Sequence, residues 1–168
     1  MGAPQDIPDQ TNGRITVVNN ELTLAGRMTL MNLDVPIDPG QVGKIASPSA
    51  FFLTEIANIA SPVLDGRILQ ATSVVLDNNK IAYVSYNMVG SDCVGAIDVI
   101  QLRSYSNPSL RSEATFTDTD VSSVCSDGSF VYLATATSNP SFASPSFVEA
   151  ISIQGGKLDL SEDVRRVL

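Results

Sequence analysis

A unit of about 50 residues occurs twice in this chain, and this internal repeat limits the possible folds more than any other feature. Residues 71–85 read ATSVVLDNNKIAYVS, and residues 121–134 read VSSVCSDGSFVYLA. In both segments an apolar, β-branched run leads through a polar turn into a second apolar run. A third apolar run follows each segment after a polar loop, at 96–102 and at 147–153. Such a period, built from strands and turns, predicts stacked or radially arranged β-repeats.

Each unit reads as four strands joined by turns. After the third strand comes a turn that contains proline, at Pro62 and again at Pro108, and an apolar stretch follows each turn, at 64–70 and 110–116. Proline fixes φ and has no backbone N–H, so it suits a turn better than the interior of a strand. Four antiparallel strands per repeat are the content of a propeller blade. The chain is therefore predicted to be all-β, with β-propeller-type four-stranded blades in about two and two-thirds copies, as part of a larger propeller.

The predicted organisation is a flexible lead-in followed by an incomplete β-propeller segment. Residues 1–13 form the lead-in, and residues 14–168 form the segment, with repeat units at roughly 14–70, 71–120 and 121–168. The lead-in is rich in Pro, Asp, Gln, Asn and Gly, a composition that buries too little apolar surface to fold by itself.

The two ends of this segment carry the least regular patterns. Asn19–Asn20 separates the apolar runs 15–18 and 21–24, which predicts an early hairpin. At the other end, residues 160–168 have helical spacing with Ser161 at the N-cap, so the third copy is predicted to stop before its outer strand. A distorted fourth strand over the same residues is the alternative.

The charge balance and the missing residue types argue against several classes of function. The chain has 18 acidic and 10 basic residues, a net charge of −8, and its basic residues are scattered. Nucleic acids and anionic membranes are bound through clustered Lys and Arg, so neither is expected as a partner. The sequence has no histidine, which is the commonest general base. A Ser-His-Asp mechanism is therefore excluded. No catalytic residue, metal ligand or cofactor is predicted, and whether the chain is an enzyme stays open.

Neither the cysteines nor the N-terminus fixes the compartment. Cys93 lies in a loop, and Cys125 takes the place of Val75 within a strand, so their pairing stays open. No apolar run approaches the roughly 20 residues needed to cross a membrane. Residues 1–6 show neither the basic start nor the apolar core of a signal peptide. The Met1–Gly2 start resembles one introduced where a leader was removed, and a native cytoplasmic start is the alternative.

Residues 95–102, 106–110 and 128–134 resemble the LVIVD-type β-propeller repeat family. In that family a hydrophobic strand with an internal Asp, here Asp98, runs into a proline turn and an outgoing strand. An alternating strand with a Tyr-containing apolar pair follows, as at Tyr132. The resemblance implies a propeller of the kind often found on bacterial secreted or surface-anchored proteins, and it implies no shared catalytic residues.

This resemblance covers residues 71–153 closely and residues 14–70 loosely. It implies an extracytoplasmic place, in the periplasm, at the cell surface or secreted, with the leader removed. A propeller needs at least about four blades to close. The expected partner is therefore the remainder of the propeller, on another chain or in a missing segment. The chain is then a fragment, one part of a cleaved propeller, or a protomer that completes the ring by assembly. A self-contained β-sandwich is the alternative.

Ligands of propellers bind where inter-strand loops converge, and three loops are candidates here: 87–95, 117–120 and 137–146. Asp118 and Asp120 offer two carboxylates two residues apart, which suits calcium, but the D-x-[DN]-x-[DN]-G pattern is absent. Two solvated turn aspartates are thus the favoured interpretation. The predicted ligand-binding residues, for a glycan or protein ligand, are Tyr86, Asn87, Asp92, Asp118 and Asp120.

Other recurring residues are interpreted as structural. Asp77 and Asp127 recur at the hairpin turns, where an aspartate side chain accepts hydrogen bonds from the nearby backbone. Tyr83 and Tyr132 recur on the following strand and are expected to pack between neighbouring sheets.

The sequence thus favours a non-catalytic β-propeller segment that acts as an extracytoplasmic interaction or ligand-binding module. One alternative is a propeller-type hydrolase or lyase that acts on carbohydrate through loop carboxylates such as Asp92, Asp118 and Asp120. Another is a purely structural β-assembly protein. Converging carboxylates in the loops would favour the enzyme, and a polar or aromatic rim without them would favour binding.

Overall fold

The computed structural model describes residues 8–36, 52–90, 93–102 and 107–167. Within them the chain is built almost entirely of antiparallel strands, so the prediction of an all-β fold is confirmed. The elements in chain order are β1 Gln10–Thr11, β2 Ile15–Val18, α1 Glu21–Ala25, β3 Met28–Pro36, β4 Phe52–Ile59, β5 Val63–Leu64, β6 Arg67–Ile68, β7 Gln70–Leu76, β8 Ile81–Asn87, β9 Gly95–Gln101, β10 Ser109–Phe116, β11 Asp120–Ser126, β12 Phe130–Ala136, β13 Ser146–Gln154 and β14 Lys157–Val167.

Two antiparallel sheets, each containing a meander of four consecutive strands, contain the repeated segments. Sheet I has the order β7-β8-β9-β10 and continues beyond β10 with β2 and β1. Sheet II has the order β11-β12-β13-β14. The two repeats agree in local detail, because the first hairpin of each sheet has a register shift at the same place, between Ala71 and Ser73 in sheet I and between Val121 and Ser123 in sheet II. The 50-residue repeat of the sequence therefore corresponds to a repeated structure, with the same strand order and the same register shift in each copy.

Sheets I and II pack face to face and enclose the main hydrophobic core. Alternation along each strand sends every second side chain to this interface, and the β-branched residues of the repeats suit such a packed, pleated surface. Tyr83, which is predicted to pack between sheets, is fully buried in this core. The residues that join it include Ile15, Val17, Ile97, Val99 and Phe116 from sheet I and Val121, Val131, Leu133, Ile151 and Leu158 from sheet II.

The hairpin turns of both sheets are held by the same aspartate. Asp77 Oδ1 accepts hydrogen bonds from the backbone N–H groups of Asn79 and Ile81, at 2.8 and 2.9 Å, and its Oδ2 accepts one from the Tyr83 hydroxyl at 3.4 Å. In sheet II the same three bonds, each 2.8 Å long, join Asp127 to Ser129, Phe130 and Tyr132. The structural interpretation of both aspartates is confirmed.

Residues 20–36 and 52–69 lie on the opposite face of sheet I. Leu24 of α1 packs on this face together with Ala82, Ile100 and Leu110, and the β3–β4 hairpin adds Met28 and Ile59 to the cluster. A second cluster places Leu69 beside Tyr86, Met88, Val94 and Ala96. Sheet I is therefore the middle layer of the described structure. No helix in the described part of the chain has the length and apolar character to span a membrane.

The hairpin predicted over residues 15–18 and 21–24 is wrong. Ile15–Val18 form β2, but the residues after them form the short helix α1. The Asn20 side chain is the N-cap of this helix, because its Oδ1 accepts hydrogen bonds from the N–H groups of Leu22 and Thr23, at 3.0 and 3.4 Å. Asparagine is favoured at both turns and helix N-caps, which is why the Asn-Asn pair misled the prediction.

The helix predicted over residues 160–168 is also wrong, and the alternative of a distorted fourth strand describes the residues better. Lys157–Val167 form β14, whose residues 157–159 and 164–167 pair with β13. Gly155 and Gly156, at φ 61° and 78°, make the tight turn that leads into it. The distortion is a register shift between Ala150 and Ser152. Sheet II therefore has all four strands, and the third copy does not stop before its outer strand.

The stretch 64–70, predicted as the outer strand of the first unit, is divided in the structure. Strands β5 and β6 form a two-stranded turn around Asp65 and Gly66, both at positive φ, and Gln70 already begins β7. The predicted lead-in 1–13 includes the short strand β1, which pairs with β2. Residues 37–51 lie outside the described part of the chain, so the unit 14–70 stays a prediction.

Gly95 is expected to tolerate no side chain, because the start of β9 approaches two other backbone segments closely. A Cβ at this position would lie 2.8 Å from Tyr86 O, Thr119 O and Val121 N. We expect Gly95→Ala to lower the free energy of unfolding by about 1–3 kcal/mol, as overpacking does elsewhere. Urea denaturation measures this loss. The matched control is Gly26→Ala, whose φ is −64° and whose nearest neighbour would be 3.8 Å away. Equal stability of the two variants would contradict the close approach.

Candidate functional site

Residues from all three loops singled out in the sequence border one common cleft. The cleft has a volume of about 440 Å³ and lies against both sheets and the β5–β6 turn. Its lining residues are mostly polar: Asp65 and Arg67 from the turn, Cys93 and Val94, Thr117 and Asp118, and Thr137, Ser138, Asn139 and Pro140.

Loop 137–146 is held to the neighbouring segments by its own side chains. The Thr137 hydroxyl donates to the backbone oxygen of Asp118 at 2.6 Å, and the Thr137 N–H donates to Pro145 O at 2.8 Å. The rings of Phe142 and Phe147 meet edge to face at 4.9 Å between centroids. The polar groups at the tip of this loop are thus presented from a fixed backbone.

Asp118 and the β5–β6 turn give the cleft its charges. Asp118 Oδ1 accepts a hydrogen bond from the Thr119 hydroxyl at 2.6 Å, which fixes the carboxylate. Asp65 and Arg67 are exposed on the other side of the same cleft. The lining therefore combines two carboxylates and one guanidinium with hydroxyl and amide groups, a mixture that suits a ligand with several hydroxyl or amide groups.

Asp120 lies behind the cleft, beside the Cys93 thiol. Burial raises the pKa of Asp120 above its ordinary value, although Cys93 and the backbone N–H groups of Met88 and Val94 act in the opposite direction. Its Oδ1 is buried and has no hydrogen-bond partner among the described residues. A carboxyl group in this environment favours its protonated form more than an exposed one does.

The two thiols stay separate. Cys93 is half-buried beside the cleft, where burial raises the pKa of its thiol, with Ser138 and Asp120 as its polar neighbours. Cys125 is exposed on sheet II. The sequence left open whether Cys93 and Cys125 form a disulfide, and in the structure both are free thiols.

Two of the other three predicted ligand-binding residues, Tyr86 and Asn87, are not among the described residues that line the cleft. Tyr86 is 4% exposed, and its hydroxyl donates to Asp98 Oδ2 at 2.8 Å, on the face of sheet I where Arg27 and Leu69 also lie. Asn87 ends β8 and is half-buried. Asp92 lies outside the described residues. Of the five predicted residues, Asp118 lines the cleft and Asp120 lies directly behind it.

A buried charge cluster, which the sequence did not reveal, surrounds Tyr86. Arg27, at the end of the α1–β3 connection, forms a two-pronged pair with Asp98, at 2.9 and 2.7 Å, and it also contacts Glu113. Arg27 further donates to the backbone oxygen of Ala60, at 3.0 Å from Nε and 2.7 Å from Nη2. Burial raises the pKa of Glu113, while Arg27 lowers it. The cluster ties Arg27 and Ala60 to the centre of sheet I.

Sheet II carries a second buried carboxylate at the equivalent place. Glu149 lies at the position in β13 that Asp98 has in β9; both are fully buried, and Glu149 pairs with Arg14. The signal was present in the sequence as a single acidic residue inside each apolar third strand. A buried charge requires a partner, so such a residue predicts a nearby Arg or Lys without showing which one.

Neither metal-ligand geometry nor comparison with known proteins assigns a ligand to the cleft. In the described ranges no group of three or more Cys, Asp or Glu residues is placed to hold a metal ion. Comparison of the chain with protein-family models, with curated proteins and with solved structures finds no match.

Proposed function

We propose that this chain is a segment of β-propeller-type blades and acts as an extracytoplasmic interaction module that binds a glycan in the loop cleft. The observation that carries the proposal is the meeting of three inter-strand loops in one polar cleft. A rigid β-scaffold with its binding groups on loops at one end is a common way to build a recognition site.

The strand order supports the blade interpretation. Each of the two repeats is a meander of four consecutive antiparallel strands, and the two meanders stack face to face. This arrangement fits the content of propeller blades and the resemblance to the LVIVD-type repeat. The extracytoplasmic location in a bacterium is what the resemblance implies, and a fusion to a reporter that is active only outside the cytoplasm would test it.

The chemistry of the cleft favours a glycan. The carboxylates of Asp65 and Asp118, which accept hydrogen bonds, together with the Asn139 amide and the Arg67 guanidinium, match the donors and acceptors of sugar hydroxyl groups. Hydrogen bonds to charged groups contribute more than neutral ones, so Asp65 and Asp118 are expected to supply most of the specificity.

The test is a glycan array followed by titration calorimetry with the best oligosaccharide. We expect Asp65→Asn combined with Asp118→Asn to weaken binding about tenfold or more, because two charge-assisted hydrogen bonds are reduced to neutral ones. Asp34→Asn is the matched control, since it removes the same charge from the β3–β4 hairpin, where Asp34 contacts Thr54. Binding that is unchanged in the double variant, or binding to no oligosaccharide on the array, would overturn the proposal.

A hydrolase or lyase acting on carbohydrate is the second candidate, and one observation favours it. The raised pKa of Asp120 is the property that a carboxylic general acid needs. Incubation of the bound oligosaccharide with the protein, followed by measurement of new reducing ends or unsaturated sugars, separates the two functions. Binding without turnover supports the interaction module.

A further inference from the structure

The outward sides of β11, β12 and β13 in sheet II carry apolar and neutral polar side chains that are partly open to solvent. We call this surface the Tyr132 face and define it by Ser123, Cys125, Phe130, Tyr132, Ala134, Val148, Ala150 and Ser152. Cys125 and Ala134 are exposed, and Tyr132, Val148 and Ala150 are half-buried. A shallow groove of about 220 Å³ crosses it between β11 and β13. All eight side chains are apolar or neutral, and charged residues border them: Asp127 accepts a hydrogen bond from the Tyr132 hydroxyl, and Asp159 and Arg166 of β14 stand opposite Ser152 and Val148.

The equivalent surface of sheet I is covered. The row Val75–Tyr83–Val99 in sheet I corresponds in register to the row Cys125–Tyr132–Ala150 in sheet II. In sheet I this row lies in the main core, with Tyr83 and Val99 fully buried against sheet II. The Tyr132 face is thus the second copy of a surface whose first copy is an interface.

The two sheets have the same orientation in the stack, with the tyrosine on one side of each sheet and the buried carboxylate on the other. Asp98 in sheet I and Glu149 in sheet II point away from the tyrosine of their own sheet, toward the layer that precedes it in the chain. Each sheet therefore presents a carboxylate side to the preceding layer and a tyrosine side to the following one. An interface of this head-to-tail kind repeats itself and leaves one unsatisfied face at its end.

We propose that the Tyr132 face binds a further four-stranded unit of this same repeat, which packs on it as sheet II packs on sheet I. The inference rests on the repeat architecture of the proposed function and names the surface through which the array continues. The occupant presents a side like the one that sheet II presents to sheet I, rich in β-branched residues.

A second copy of the chain is not the occupant we infer. The matching carboxylate side of sheet I is already covered by α1 and the β3–β4 hairpin, and that of sheet II is buried against sheet I. A copy of this chain would therefore offer neither of its carboxylate sides. A separate unit with that side open is required.

The experiment supplies such a unit covalently. Residues 117–167 are appended a second time after Leu168, so that the natural 117–119 connection precedes the added unit. In the added copy, Glu149→Leu removes a charge that would lack its Arg14 partner, and Cys125→Ser removes the thiol of that copy. Cys93→Ser is made in both the extended and the unextended protein. The only remaining thiol is Cys125 of sheet II, whose alkylation rate reports whether the Tyr132 face is covered.

We expect alkylation of Cys125 to be about tenfold slower or more in the extended chain than in the unextended one, because a packed interface exposes its residues only through opening. Ala150→Lys in sheet II places a charge under the added unit and is expected to restore the fast rate. Val74→Lys is the matched control, since Val74 is 69% exposed on sheet I and away from the Tyr132 face. Circular dichroism of both variants in the unextended chain verifies that each one folds.

Equal alkylation rates in the extended and unextended chains, with the added strands visible by circular dichroism, would overturn the proposal. So would a fast rate that Ala150→Lys leaves unchanged. Concentration-dependent protection in the unextended chain would overturn it in a different way, by assigning the face to a second copy. None of these outcomes depends on the loop cleft, so a failure of glycan binding and a failure of this interface are distinguishable.

Discussion

Tyr83→Ala is expected to lower the free energy of unfolding by about 3–5 kcal/mol, as large-to-small aromatic substitutions in a core do. Tyr83 is fully buried between sheets I and II, where it is among the largest side chains without solvent contact. Its truncation leaves a cavity in close-packed surroundings and removes the hydroxyl that donates to Asp77. Urea denaturation followed by circular dichroism measures the loss.

The repeat offers a matched control for this variant. Tyr132 occupies the equivalent position, makes the same bond to an aspartate and lies on the open side of sheet II. Tyr132→Ala removes the same atoms without creating an enclosed cavity, so the loss is expected to be a small fraction of that in Tyr83→Ala. Comparable losses in the two variants would show that sheets I and II do not stack as described.

Arg27→Met is expected to cost about 3–5 kcal/mol, because it leaves buried carboxylates without their cation. Asp98 is fully buried, and the Glu113 side chain is only 14% exposed, so neither can turn to water without disturbing sheet I. The variant keeps most of the aliphatic volume of Arg27 and removes its charge. Arg67→Met, at an exposed arginine of the β5–β6 turn, is the control and is expected to change stability little.

The pH dependence of this variant gives a readout that a packing defect would not give. Burial already raises the pKa of Glu113 in the folded state, and removal of Arg27 raises it further. A group whose pKa is raised by folding stabilises the folded state below its unfolded pKa, about 4.3 for Glu, and loses that contribution as the pH rises through the folded value. The deficit of Arg27→Met is thus expected to shrink from pH 7 toward pH 4. A deficit that is constant over this range would contradict the electrostatic explanation.

The repeated segments were predictable because their information is local. Asp77 and Asp127 stand at the turns, alternating apolar residues mark the strands on either side, and each turn binds only its own hairpin. The predictions failed where one residue type serves two purposes. Asn20 could begin a turn or cap a helix, and residues 160–168 could follow a helical or a strand period; in each case tertiary contacts decide, as with the pairing of β14 with β13.

The candidate site shows the same division. Loops 117–120 and 137–146 could be found from the strands that they connect, so their convergence was predictable. The strands alone do not predict that the β5–β6 turn contributes to the cleft. They also do not predict that Tyr86 lies away from it. The sequence places Tyr86 at the edge of a loop, but in the structure its hydroxyl binds the Asp98 carboxylate and its ring packs beside Leu69. Its place depends on contacts over long separations in sequence, such as that of Arg27 with Asp98.

By itself the sequence determined that this protein is a β-repeat, where its repeated hairpins turn, and which side chains alternate between two faces, since all three follow from neighbours within a few residues. The tertiary structure decided which of those faces are interfaces. Tyr83 and Tyr132 are equivalent in sequence, yet Tyr83 is enclosed by sheet II and Tyr132 is half-buried on the outward side of its sheet. Burial depends on the layer that packs against a strand, and no local pattern carries that information.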